Sequence, residues 1–84
     1  LVNPYKDESD IRTFSKDVLA EELVWHRDRE DRTVAILEGE GWKFQRDNEL
    51  PIHLNVGDEI SIEAFEYHRI IKGTTDLKIQ IKEN

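Results

Sequence analysis

From residue 22 onward, apolar side chains recur at every second position in short runs, and a cluster of turn-forming residues closes each run. A period of two sends successive side chains to opposite faces of a strand, so this pattern specifies β-structure. Residues 77–82 (LKIQIK) are the cleanest half-buried case, and residues 58–62 (DEISI) alternate in the same way. Residues 32–37 (RTVAIL) form a nearly continuous apolar strand, which predicts cover on both faces. Residues 41–46 (GWKFQR) alternate again and read as the hairpin partner of 32–37. The turn between them, Glu38-Gly39-Glu40-Gly41, has two residues able to take positive φ. Residues 50–54 (LPIHL) form a short strand whose Pro51 is tolerated at an edge, and residues 67–71 (YHRII) form another. Residues 22–28 alternate too, with Val24, His26 and Asp28 on one face and Leu23, Trp25 and Arg27 on the other.

About seven or eight short antiparallel strands in 84 residues predict an all-β sandwich or small barrel in one domain spanning 1–84. The barrel proper covers 21–82. Residues 1–20 read as an N-terminal arm or edge strand, opening on an extended or turn-like Asn3-Pro4-Tyr5. One or two helical turns capped by Ser15 are the alternative for residues 15–22. The chain starts at Leu1 and contains no Met, so its true start is expected to be trimmed or to lie upstream.

The net charge of −7, from 19 acidic and 12 basic residues, argues against nucleic acid and against an anionic membrane as partners. No apolar run is long enough for a membrane span. The absence of cysteine excludes disulfides and thiolate metal sites, and fits a cytoplasmic protein. A chain this small buries a limited core, which favours a metal staple or a homodimer. An arm over residues 3–18 would exchange between subunits and cover an open sheet edge.

The chemistry concentrates at His26-Arg27-Asp28 and His68. Residues i and i+2 of a strand share a face, so His26 and Asp28 present an imidazole and a carboxylate side by side. A second strand carrying His68 closes the set. Two imidazoles and one carboxylate with open positions suit iron(II) and related divalent ions.

The spacing His26-x-Asp28-x3-Arg32-x6-Gly39, followed by Gly57-x5-Glu63-x-Phe65-x2-His68-x3-Lys72, resembles the cupin family. Its motifs are similar to G-x5-H-x-H-x(3,4)-E-x6-G and G-x5-P-x-G-x2-H-x3-N. The resemblance covers roughly residues 23–81. It implies a small cupin-type double-stranded β-helix, a jelly-roll barrel with a metal or ligand pocket inside. His26 and His68 fall on family ligand positions. Asp28 stands at the second histidine and Arg32 at the glutamate, so the usual three-His, one-Glu set is absent. The resemblance leaves two readings. One is a metal site of His26, Asp28 and His68, holding iron, manganese, nickel or zinc as a Lewis acid or redox centre in a dioxygenase or isomerase. The other is a metal-free cupin that binds small molecules or serves as a structural dimer.

Arg32 on an inner face would receive a carboxylate or phosphate of a small ligand; on an outer face it would pair with Asp28, Glu30 or Asp31. Trp42, Phe44 and Tyr67 are candidate pocket walls, with core packing as the alternative. Asp31 is a weaker substitute for Asp28. His53 has the parity of a solvated residue. No Ser-His-Asp set or phosphate loop is present. Gly39-x-Gly41 precedes no helix, so no nucleotide cofactor is expected.

Overall fold

The computed structural model describes residues 4–83. Asn3, first residue of the expected N-terminal turn, lies outside them. The strands are β1 (Lys6–Glu8), β2 (Ile11–Phe14), β3 (Arg32–Glu38), β4 (Lys43–Arg46), β5 (Ile52–His53), β6 (Glu59–Ile62), β7 (His68–Ile71) and β8 (Leu77–Glu83). A 3-10 turn at Ala20–Glu22 is the one helical element among the described residues. No helix is long and apolar enough to cross a membrane.

Two antiparallel sheets form. The larger has the order β1-β2-β8-β3-β6 and the smaller β5-β4-β7. His26 extends the smaller sheet beyond β7 through a reciprocal backbone pair with His68, at 3.0 and 2.9 Å. The chain passes from β2 to His26, then to β3, β4 and β5, β6, β7 and β8, changing sheet at each of these steps. Crossing back and forth in this order produces the facing order of a jelly-roll barrel.

Alternation along each strand fills the space between the sheets. Phe14, Val34, Ile36, Ile60, Ile62, Leu77 and Ile79 come from the larger sheet and are buried; Phe44 meets them from the smaller one. Val18 and Leu23, on the crossover before His26, close one side. Each such side chain contributes about 1.5–3 kcal/mol by leaving water.

The structure departs from the sequence pattern in three places. The strands at 32–37 and 41–46 are not a hairpin, because β3 and β4 lie in different sheets. The turn between them carries the chain across the barrel, with Gly39 at φ 151° and Gly41 at φ 80°. Trp42 anchors the crossing: it is fully buried, and its Nε1 donates to the Thr75 carbonyl at 2.7 Å. Residues 22–28 do not form a full strand. Glu22 ends the 3-10 turn, and pairing is confined to His26. The N-terminal segment is two strands rather than an arm, with β1 at the edge of the larger sheet as the edge-strand alternative expects. β1 and β2 make a hairpin around Ser9 and Asp10, and β2 pairs with β8 from Ile11↔Gln80 to Phe14↔Leu77. Within residues 15–22, Ser15 caps a tight turn. Its Oγ accepts from Asp17 N at 3.0 Å and its carbonyl accepts from Val18 N at 3.1 Å.

Candidate metal centre

The backbone bridge between His26 and His68 sets the two imidazoles on the same side of the smaller sheet, His68 buried and His26 exposed at the cavity's edge. Their rings meet edge to face with centroids 4.3 Å apart. Asp28, two residues on and outside any strand, brings Oδ2 to 3.4 Å from His68 Nε2. Its position is fixed from behind, since its carbonyl accepts from Phe65 N at 2.7 Å. The ligating atoms of His26, Asp28 and His68 all lie within 4.8 Å of one another.

The protons are placed by the backbone. His68 Nδ1 lies 2.8 Å from the Glu66 carbonyl, and His26 Nδ1 lies 3.1 Å from the Val24 carbonyl. A carbonyl oxygen only accepts, so each Nδ1 carries the hydrogen and each neutral ring keeps its lone pair on Nε2. This arrangement orients histidine ligands in metal sites. His68 is 4% exposed, and Phe44 packs on it at 5.6 Å between centroids. Burial pushes the His68 pKa below the usual histidine value, and His26 adds to the shift; the Glu66 carbonyl and Asp28 oppose it.

Asp28 divides its two oxygens. Oδ2 stands 3.4 Å from His68 Nε2, while Oδ1 stands 3.5 Å from Arg32 Nη1. Arg32 therefore holds one oxygen and leaves the other facing the imidazoles. Its Nη2 reaches Glu83 at 3.3 Å. The group could hold a divalent ion: the Asp28–His68 pair at 3.4 Å is already spaced for one, while a donor pair as wide as 4.8 Å would have to close. Two donors each about 2.1 Å from one ion stand about 3.0–3.4 Å apart at right or tetrahedral angles.

The three residues line a cavity of about 320 Å³ inside the barrel, together with Arg32 and Phe44. Trp42 and Tyr67 do not line it. Trp42 belongs to the core, and Tyr67 is 45% exposed on the outer side, where Arg27 covers its ring at 5.2 Å. His53 is exposed on β5, paired with Lys43 across the sheet from the two other histidines. Asp31 is engaged elsewhere, its carboxylate accepting from Ala64 N at 2.8 Å. The cavity also contains polar residues that the sequence did not single out, Tyr5, Arg12 and Glu22. Arg12 donates to Asp7 through Nε at 2.8 Å and Nη2 at 3.1 Å, and its guanidinium lies 3.7 Å from the Tyr5 ring centroid. The signal for Arg12 was its shared parity with Phe14 on one strand.

Comparison with family models, with curated proteins and with solved structures returns no match for this chain.

Proposed function

We propose that this chain is a small cupin-like metalloprotein that holds a divalent ion on His26 Nε2, His68 Nε2 and Asp28 Oδ2 and binds a small polar or anionic ligand in its barrel. The observation that carries the reading is the group of two imidazoles and one carboxylate on the cavity, with ligating atoms within 4.8 Å of one another and both Nδ1 atoms tied to backbone carbonyls. The cupin reading is supported by the jelly-roll strand order and by where the motif residues fall in it. Gly57 precedes β6 at φ 94°, and Phe65 adopts φ 64° at the position where the family pattern has glycine.

Each residue has a distinct role in this reading. The Val24 and Glu66 carbonyls fix the imidazole tautomers, Arg32 steadies Asp28 through Oδ1, and Phe44 shields His68 from water. The bound ion would supply Lewis-acid or redox chemistry of the dioxygenase or isomerase kind at its open positions. Cytoplasmic location and a homodimer belong to the same proposal. Exposed Leu37, Leu50, Ile52 and Val56 support the dimer, because so small a core gains from further apolar cover.

The competing reading is a metal-free binding module, favoured by the Arg32–Asp28 pair, in which a guanidinium already partners the carboxylate. Elemental analysis of untagged protein beside the His26→Ala, His68→Ala double variant decides between them. Near-stoichiometric iron, manganese, nickel or zinc, lost in the variant, supports the metal centre. No metal in either, even after anaerobic reconstitution, leaves the metal-free module.

A further inference from the structure

The cavity wall is divided by chemistry. Phe14, Leu23, Ile60, Ile62, Ile79 and Ile81 make an apolar surface. No serine, threonine, asparagine or glutamine lines it among the described residues, and the Tyr5 hydroxyl is the one neutral oxygen-bearing side chain. A sugar or other polyol would lay part of its hydroxyls against this hydrocarbon surface, where they have no partners, which is costly for each one. The charged lining is Arg12, Arg32, Asp28 and Glu22.

Arg12 is held rigidly and only partly satisfied. Asp7 takes its Nε and Nη2, and Tyr5 takes one face of the guanidinium. No hydrogen bond among the described residues uses Nη1. Arg32 is already paired with Asp28 and Glu83, and only its buried Nε has no partner among the described residues. A cavity with fixed cationic donors and hydrocarbon walls selects a ligand with one anionic end and an apolar body. A divalent ion on two neutral imidazoles and one carboxylate would keep a positive charge uncompensated, which adds to the demand for an anion.

We propose that the cavity receives a small organic acid with a hydrocarbon body, its carboxylate bound by Arg12 and its body laid against the Ile60, Ile62, Ile79 and Ile81 wall. This deepens the ligand half of the function proposed above, and its recognition elements are the same with or without the ion. Sugars, sugar acids and neutral alcohols are disfavoured, the first two because the isoleucine wall offers their hydroxyls no partner and the last for want of a charge.

Calorimetric titration of the whole protein tests this, run on manganese-loaded and on EDTA-treated samples. The probes are hexanoate, gluconate, which has the same charge on a polyol body, and hexan-1-ol, which has the same body without charge. Hexanoate is expected to bind at least about tenfold more tightly than either other probe, the size of one well-placed charged or apolar recognition element. Arg12→Gln is expected to remove that advantage over hexan-1-ol, and Arg12→Lys to restore part of it. Gluconate binding as well as hexanoate, hexanoate binding no better than hexan-1-ol, or no binding by any probe overturns the proposal. The wild-type series needs no variant, so a misfolded Arg12→Gln does not protect the idea. Cobalt uptake read by its absorption spectrum tests the metal separately. Hexanoate preference without cobalt uptake retires the ion and keeps the acid; cobalt uptake without that preference does the reverse.

Discussion

His68 Nε2 faces Asp28 Oδ2 at 3.4 Å with a lone pair rather than a proton. The tautomer follows from the Glu66 carbonyl, which accepts from Nδ1, and the neutral state follows from burial. Two acceptors this close repel unless a cation lies between them. A proton or a divalent ion can fill that role. Burial disfavours the proton because it would place its charge on the enclosed ring. The same packing that makes His68 a poor base therefore keeps it available as a ligand.

This has a consequence for acid stability. His68 has a lowered pKa in the folded protein, so the unfolded chain takes up its proton first. Stability from this group is fully present above the ordinary histidine value of 6.5 and is lost as pH falls through the folded value. Urea unfolding of EDTA-treated protein between about pH 7.5 and 5 is expected to show a falling midpoint, and His68→Gln to flatten that part of the curve. A slope that survives the substitution would assign it to other groups.

Asp28→Asn separates the ligand role from the structural one. The amide is nearly isosteric and can still accept from Arg32, but it supplies no negative charge to an ion. Cobalt affinity is expected to fall by about tenfold or more, on the scale of losses seen when the shell around a metal is altered. The fold should persist, because Asp28's backbone contact with Phe65 N is unchanged. An unaltered cobalt spectrum and affinity would remove Asp28 from the ligand set.

Much of the barrel was legible because period-two alternation is local. β6, β7 and β8 appear in the sequence almost as they appear in space, and each residue's parity places it inside or out. His26 and Asp28 were singled out by the same alternation, although only His26 pairs as a strand residue and Asp28 is placed by its carbonyl's contact with Phe65 N. What alternation lacks is information on which strands pair. β3 and β4 are joined by a glycine turn that looks like a hairpin, yet Trp42 pulls the chain into the other sheet. Arg12 was hidden for a related reason. The strand at Ile11–Phe14 is short and begins among charges, so the parity Arg12 shares with Phe14 is a weak signal until the pairing with β8 defines the inner face. Tyr67 has the composition of a pocket wall, but its parity opposes that of His68 and turns it outward.

Gly73 tests the crossing between the sheets. A Cβ there would overlap the Glu40 carbonyl oxygen and approach Trp42 Cδ1 to 2.5 Å and Trp42 N to 2.6 Å. The backbone and a fully buried indole have little room to move. Gly73→Ala is expected to destabilise by about 1–3 kcal/mol, the range for overpacking a filled interior. Thermal melts should show a clear drop, at about 4–8 °C per kcal/mol for a domain of this size. Thr74→Ala, at the next and exposed position, provides the comparison. Equal melting of the two variants would mean that the turn yields more easily than its packing implies.

Asp7 supplies the last test, at the barrel's N-terminal edge. The Arg12 guanidinium holds its carboxyl below the usual aspartate range through a hydrogen bond, against a smaller opposing effect of burial. A depressed carboxyl stabilises the folded state above its unfolded pKa of about 3.8, and that contribution disappears as pH falls through the folded value. Its side chain is 47% exposed, so solvent screening limits the pair to less than about 1 kcal/mol. Asp7→Asn is therefore expected to lower stability slightly at neutral pH and to converge with the wild type in strong acid. Added salt should narrow the neutral-pH difference, because exposed pairs are screened. A loss much larger than this, insensitive to salt, would mean that Asp7 stabilises β1 and β2 by holding Arg12 against Tyr5 rather than by its charge alone.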